Sequence, residues 1–190
     1  MTGVQTCALP IYSLQDIIND TLLLSQLQQK HDVFARPIAL ESFIGQIAQQ
    51  IFEELSINYS VEAGTGVNEP AYGEERLIRR AIINILENAV RYAKSEVRIS
   101  LSRSSRNELR IAVDDDGPGV SPEDRKVLFS PFSRADKSRS RKTGGAGLGL
   151  SLVALIMRQH GGKACYRPSK MGGASFILQW PAYDKKYLSM

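Results

Sequence analysis

The chain has 190 residues, of which 43% are hydrophobic and 23% charged, and its formal net charge is +4 at pH 7. This length suits one domain of ordinary size with an appendage, and such a domain can bury a sizeable core. No run of about 18 apolar residues is present, which excludes a membrane-spanning helix in this sequence. Many cations cluster at residues 134–142, which indicates a local anion site rather than a nucleic-acid surface.

The N-terminal part of the chain divides into three segments. Residues 1–11 are interpreted as foreign, because they read as the in-frame translation of a common short-read sequencing adapter, and we expect a truncated chain. Residues 12–30 have an amphipathic helical pattern. Such a helix usually packs in a bundle or dimerises, and docking on its own domain is the alternative. Residues 33–40 are predicted to be a linker, because proline disfavours helix at the residue before it.

The remaining elements are mixed, and no internal repeat appears. We expect helices at 41–56, 74–93 and 148–159, and a short helix that begins at the N-cap Ser121 and ends near Phe129. We expect strands at 57–63, 96–102, 108–114, 163–167 and 174–180, and a short edge segment at 70–73. His160 is interpreted as the end of the helix at 148–159, where a cation suits the helix dipole.

The helix predicted at 74–93 carries a polar stripe. Asn84, Asn88 and Arg91 follow at i, i+4 and i+7, separate from the apolar side. Asparagine costs a helix about half a kcal/mol relative to alanine, so two in one stripe are informative. Amide oxygens suit Mg²⁺ that keeps water and phosphate oxygens in its shell. Asparagines that simply face solvent are the alternative.

Glycine-rich segments lie on both sides of the basic cluster, at 115–119 and 144–149. The second segment fails as a P-loop because Leu150 stands where a lysine is required, and its glycine spacing also fails the dinucleotide motif. What remains is a glycine run before a helix N-terminus, where backbone N–H groups favour phosphate.

Together these segments resemble the N, G1, F and G2 boxes of bacterial sensor histidine kinases, most closely the RstB-like kinases. The resemblance extends over residues 36–181 and rests on Asn84-Ile-Leu-Glu-Asn88-Ala-Val-Arg91-Tyr92, Asp115-Asp-Gly-Pro-Gly119, Leu128-Phe-Ser-Pro-Phe132 and Gly145-Ala-Gly-Leu-Gly-Leu150. It implies an α/β (α+β) two-layer sandwich, the Bergerat ATP-binding fold, in which three helices cover one face of a mixed sheet. One long N-terminal helix would precede this domain.

The resemblance implies a site for ATP and Mg²⁺. Asp115 would accept a hydrogen bond from the exocyclic amine of adenine, and Gly117 and Gly119 would let the backbone approach the base. Asn88 would bind Mg²⁺, and Asn84 would assist directly or through water. The other residues implied to contact the nucleotide are Arg91, Tyr92, Gly145, Gly147, Leu148, Gly149, Leu150 and the candidate phosphate cations Arg139, Arg141 and Lys142 in a lid at 133–144. The neighbours Asp114 and Asp116 are interpreted as structural or solvated.

The resemblance also implies a protein-histidine kinase rather than a hydrolase. Gyrase-type relatives have a water-polarising glutamate one helical turn before the metal-binding asparagine, where this chain has Asn84. Glu87 lies about 100° round the helix from Asn88, so it is a poor substitute for that glutamate. Neither His31 nor His160 lies on a helix before residues 12–30, where the phosphoacceptor would stand. We therefore expect binding of Mg²⁺-ATP without autophosphorylation; a gyrase/Hsp90-type ATPase and a degenerate interaction module are the alternatives.

For the full-length protein, the resemblance implies a larger signalling assembly. Residues 12–32 would be the second helix of the dimerisation and phosphoacceptor region, 41–183 the ATP-binding domain and 184–190 a tail. The full-length protein would form a homodimer through the N-terminal helix and act with a cognate response regulator. It would be anchored in the inner membrane with this part on the cytoplasmic side. This part would contact neither nucleic acid nor membrane.

Overall fold

The computed structural model describes residues 14–28, 35–53, 55–64, 67, 70–131, 133 and 147–182. Its helices are α1 (Leu14–Gln28), α2 (Leu40–Phe52), α3 (Glu75–Tyr92), α4 (Pro122–Arg125) and α5 (Gly149–Gln159). Its strands are β1 (Arg36–Ile38), β2 (Asn58–Ala63), β3 (Ala71–Gly73), β4 (Glu96–Arg103), β5 (Glu108–Asp115), β6 (Lys163–Pro168) and β7 (Ala174–Pro181). None of the described helices is long and apolar enough to cross a membrane.

The main sheet contains five strands in the order β2-β4-β5-β7-β6. β2 runs parallel to β4, and the other neighbouring strands are antiparallel. Helices α2, α3 and α5 pack against this sheet and against one another. The predicted sandwich of a mixed sheet and a three-helix layer is therefore confirmed.

The core lies between the helices and one face of the sheet. Side chains alternate along a strand, and the alternate residues Val97, Ile99 and Leu101 of β4 are buried. From the other layer, α3 buries the side that includes Ile78 and Ile85. This packing fixes the rotation of α3, and with it the direction of the asparagine stripe.

A small second sheet contains a strand, β1, that was not among the predicted elements. β1 pairs antiparallel with β3, so that Pro37 lies opposite Tyr72. The interpretation of residues 33–40 as a linker is therefore wrong for residues 36–38. A strand of three residues is too short to show alternation, and proline is tolerated in it because the strand lies at a sheet edge.

Helix α1 packs on α5 of its own domain and forms an ion pair with α3. Leu24 and Leu27 are buried, and Nη2 of Arg80 lies 2.5 Å from Oδ1 of Asp20. Nε2 of Gln159 donates to the backbone oxygen of Leu27 at 2.7 Å. One side of α1 thus docks on its own domain, and bundle packing stays a prediction for the opposite side. Two large apolar side chains are exposed there, Ile18 (44%) and Leu22 (57%).

The predicted ends of two helices are confirmed in part. Oγ of Ser121 accepts a hydrogen bond from the Asp124 backbone N–H at 3.1 Å, so Ser121 is the N-cap of α4. α4 ends at Arg125 rather than near Phe129, and the residues that follow it form turns. His160 does end α5, but its Nε2 accepts a hydrogen bond from the backbone N–H of Glu74, so its interpretation as a cation is wrong.

Candidate functional site

The described candidate residues meet at one end of the main sheet. β5 ends at Asp115, whose carboxylate accepts a hydrogen bond from the first residue of β7. Gly117 lies directly against the backbone carbonyl of Tyr92, the last residue of α3. Gly149, the first residue of α5, lies against the side chain of Asn84. Residues far apart in the sequence are thereby brought together.

Asp115 is the most buried charged residue of this region, with 1% of its surface exposed. Its Oδ1 accepts hydrogen bonds from the backbone N–H groups of Gly117 at 2.9 Å and Ala174 at 3.1 Å. Its Oδ2 is buried and has no hydrogen-bond partner among the described residues. A buried acceptor without a partner is costly, so it indicates a position where a ligand supplies the donor.

Burial raises the pKa of Asp115 above its ordinary value. The hydrogen bonds from Ala174 and Gly117 act in the opposite direction, and the charges of Asp116 and Asp114 add to the increase. Because Oδ1 already accepts two N–H groups, a proton taken up by this carboxyl group would sit on Oδ2. Protonation would turn the acceptor into a donor.

Three glycines let the backbone close around this carboxylate. A Cβ on Gly117 would overlap the carbonyl oxygen of Tyr92, and a Cβ on Gly173 would overlap the Asp115 carboxylate and backbone. Gly119 has a φ of +73°, which favours glycine. Sequence reasoning did not include Gly173 among the site residues. The available signal was the glycine pair directly before β7, which resembles the last glycine box of the kinases.

Asp116 ties the end of α3 to the segment that follows β5. Its carboxylate accepts hydrogen bonds from the backbone N–H of Lys94 at 2.8 Å and from the hydroxyl of Ser95 at 2.6 Å. Desolvation acts to raise the pKa of Asp116, but the hydrogen bonds from Ser95, Lys94 and Glu96 outweigh it and lower the pKa. The structural interpretation of Asp116 is confirmed, and Asp115 is the carboxylate left with a vacant acceptor oxygen.

The asparagine stripe begins inside the protein. Asn84 is 5% exposed, and its Nδ2 donates to the backbone oxygen of Arg80 at 2.9 Å. A Cβ on Gly149 would lie 2.6 Å from Oδ1 of Asn84, so only glycine allows α5 to begin this close to the amide. Asn88 and Arg91 follow as half-buried residues. The alternative of solvent-facing asparagines is therefore wrong for Asn84.

The start of α5 presents backbone groups rather than side chains. Leu148 is the N-cap, has no side-chain cap and is buried in the core, while Leu150 is half-buried against it. The first N–H groups of a helix have no partner within the helix and favour an anion. Gly147, just before the N-cap, has a φ of +75°. The side chain of Leu148 is therefore part of the core and does not contact a ligand.

Several predicted site residues lie outside the described residues. They are the lid cations Arg139, Arg141 and Lys142, together with Gly145. Their roles stay predictions. The described part of the site offers a buried acceptor beside β5, amide groups on α3 and helix N–H groups at α5. This arrangement suits a ligand with an N–H donor at one end and an anionic group at the other.

Known proteins resemble this chain over most of its length. Residues 73–184 match the family model described as histidine kinase-, DNA gyrase B-, and HSP90-like ATPase. Sensor histidine kinase CpxA of Escherichia coli K12 is 34% identical over an alignment of 179 residues, and the match covers 90% of this chain and 38% of CpxA. Sensor protein RstB of the same strain is 46% identical over 108 residues, which are 57% of this chain and 25% of RstB. The chain thus spans less than two fifths of these relatives.

Solved structures show the same arrangement of helices and strands. Full-length ShkA in complex with AMPPNP has a TM-score of 0.77 and 25% identity, and the match covers 88% of this chain and 35% of ShkA. The ATP binding domain of PrrB from Mycobacterium tuberculosis has a TM-score of 0.61 and 26% identity, and the match covers 81% of this chain and all of that domain.

Proposed function

Because this chain belongs to the histidine kinase-, DNA gyrase B- and HSP90-like ATPase family, we propose that it is the ATP-binding catalytic domain of a sensor histidine kinase. In the full-length protein this domain supplies the γ-phosphate of ATP to a histidine on a helix that precedes α1. That protein acts as a homodimer and passes the phosphoryl group to a response regulator. The similarity to CpxA and RstB supports these partners and an inner-membrane location with the domain on the cytoplasmic side.

The unpartnered Oδ2 of Asp115 is the observation that carries the proposal. The exocyclic amine of adenine donates an N–H at the place where guanine has a carbonyl oxygen. An ionised carboxylate accepts a hydrogen bond from the adenine amine and repels the guanine carbonyl, so Oδ2 of Asp115 selects adenine. The hydrogen bonds from Gly117 and Ala174 hold the carboxylate in one orientation, which prepares Oδ2 for the base.

The other end of the site fits phosphates and Mg²⁺. The uncapped start of α5 favours anionic groups, and its first residue lies beside the Asn84 amide. Amide oxygens are hard neutral ligands, so Asn88 would hold Mg²⁺ and Asn84 would assist, together with phosphate oxygens and water. When bound, Mg²⁺ neutralises charge on the phosphates. The described residues orient the nucleotide at both ends, and transfer to the acceptor histidine then depends on positioning rather than on a covalent intermediate with this domain.

The residue at position 84 favours a kinase over a hydrolase. A hydrolase of this family needs a carboxylate here to polarise water, whereas Asn84 is a neutral amide whose nitrogen is held by the Arg80 carbonyl. Glu87 directly precedes Asn88, so it lies about 100° round α3 from the proposed metal ligand, and it has an interaction of its own. The site therefore holds ATP for an acceptor group rather than for water.

Isothermal titration calorimetry of the whole chain with AMPPNP tests the proposal. We expect one binding site per chain, tighter binding with Mg²⁺ than with EDTA, and much weaker binding of the guanine analogue GMPPNP. Equal affinity for the two bases would contradict the role of Asp115, and absence of any binding would contradict the proposed function.

A further inference from the structure

We propose that His160 is a positioning residue, which fixes the register of α3 against α5 and thereby holds the asparagines of α3 at the nucleotide site. The inference rests on the proposed function, because its readout is binding of Mg²⁺ and nucleotide. His160 itself lies at the far end of α5 from the site and contacts neither ligand.

The imidazole of His160 joins the ends of two helices. Nδ1 lies 2.7 Å from the backbone oxygen of Ile156, and Nε2 lies 3.0 Å from the backbone nitrogen of Glu74. A backbone oxygen can only accept and a backbone N–H can only donate. The ring is therefore neutral, with its proton on Nδ1 and a lone pair on Nε2. The N-cap residue of α3 thus donates to the residue that ends α5.

A second contact between the same helices lies at the nucleotide site. Gly149 begins α5 directly beside the Asn84 side chain. At about 1.5 Å per residue, Glu74 and Asn84 are about 15 Å apart along α3, and His160 and Gly149 are about 16 Å apart along α5. The two helices therefore run antiparallel, with one contact at each end of α5. Loss of the His160 contact allows α3 to shift along α5, which moves Asn84 and Asn88 relative to the start of α5.

The surroundings of the ring leave little room for adjustment. A Cβ on Gly73 would lie 3.2 Å from Cδ2 and 3.3 Å from Nε2 of His160, so β3 closes over the imidazole edge. Burial lowers the pKa of His160, while the Ile156 carbonyl and the charge of Glu74 act in the opposite direction. The other two neighbours of the imidazole, Gly73 and the backbone of Ile156, contribute no ionisable group. A proton on Nε2 would face the Glu74 N–H and the positive end of the α3 dipole.

The test uses the whole chain with His160→Gln, His160→Leu and the control His31→Gln. The Oε1 atom of glutamine can accept the hydrogen bond from the Glu74 N–H, but glutamine does not titrate. Leucine neither accepts this hydrogen bond nor titrates. We expect His160→Leu to reduce the gain in AMPPNP affinity on adding Mg²⁺ about tenfold at pH 7.5, because binding of Mg²⁺ then has to restore the register that the His160 hydrogen bond holds in the wild type. We expect a change of less than about twofold in EDTA, because the base site at Asp115 is not moved.

The pH profile separates positioning from general support of the fold. In the wild type, both the free energy of unfolding and the Mg²⁺-dependent gain should fall as the pH is lowered, the first from 6.5, the ordinary pKa of histidine, and the second through the lowered pKa of His160 in the folded chain. His31→Gln should keep this fall in full, and His160→Gln should remove it while binding normally at pH 7.5. If the His160→Leu chain does not fold, the pH profile of His160→Gln tests the inference instead.

Three outcomes would overturn the inference, and they separate the role of His160 from the proposed function. A folded His160→Leu chain with the wild-type Mg²⁺ gain, or a His160→Gln chain with the wild-type pH profile, would refute the role of His160 alone. A wild-type chain that does not bind Mg²⁺-AMPPNP would refute the proposed function as well.

Discussion

The substitution Asp115→Asn tests the adenine site with little change in shape. Asparagine can keep its Oδ1 toward the N–H groups of Gly117 and Ala174, which places an NH₂ group where Oδ2 stands. That group donates toward the adenine amine, which also donates. The hydrogen bond from the adenine amine to a charged acceptor is lost, at a cost of about 1.5–3 kcal/mol. We therefore expect AMPPNP affinity to fall roughly 10- to 150-fold.

Calorimetric titration with AMPPNP and GMPPNP measures this effect, and Asp114→Asn on the neighbouring, half-buried carboxylate is the matched control. GMPPNP affinity should rise, because the new donor meets the guanine carbonyl. Stability should be kept, since burial disfavours the ionised form of Asp115, as its raised pKa indicates. Equal AMPPNP affinity for Asp115→Asn and wild type, with both folded, would refute the assignment.

Four further substitutions test the packing, metal and ion-pair contacts of the protein. Gly173→Ala forces a Cβ into the adjacent carboxylate and should lower the free energy of unfolding by about 1–3 kcal/mol in urea. Gly45→Ala in α2, where a Cβ meets nothing within 4 Å, should instead raise it by up to about 1 kcal/mol. Asn88→Ala should remove most of the Mg²⁺-dependent gain in AMPPNP affinity while keeping the affinity in EDTA, and loss of both equally would contradict a metal role. Arg80→Ala leaves the buried Asp20 without its cation, so amide exchange should accelerate in α1 but not in α3; unchanged exchange in α1 would show that the ion pair does not hold it.

The pH dependence of binding is a separate prediction. The raised pKa of Asp115 means that the folded chain takes up this proton above the ordinary value of 3.8. As the pH falls through that raised value, Oδ2 changes from acceptor to donor, and AMPPNP affinity should fall. Fluorescence titration of wild type and Asp115→Asn at a series of pH values checks this, and parallel profiles for the two proteins would contradict it.

Much of the fold was predictable because its elements are long enough to show their period. The alternation of β4 and the apolar side of α3 each repeat several times, and both elements match their predicted bounds within one residue. Asp115, Gly117 and Asn84 were predictable for another reason, since their order along the chain resembles a kinase pattern. The structure adds why each residue type is needed, such as the closeness of Gly117 to Tyr92.

The remaining features depend on contacts between distant segments, which a local pattern does not contain. Gly173 matters because a Cβ at this position would overlap a carboxylate 58 positions earlier in the sequence. The neutral state of His160 follows from an N–H group on another helix, which outweighs the preference of a helix end for a cation. The docked side of α1 could not be distinguished from a dimer surface, because both need the same apolar stripe.

Incubation with γ-labelled ATP and Mg²⁺ tests the central claim, that this chain is the ATP-binding catalytic domain of a sensor histidine kinase. We predict no label on the chain itself and little release of phosphate. We predict label on a separately supplied dimeric helical hairpin that carries a histidine followed by an acidic residue, and none when that histidine is replaced by glutamine. Label on this chain alone, or steady release of phosphate without the hairpin, would contradict the account.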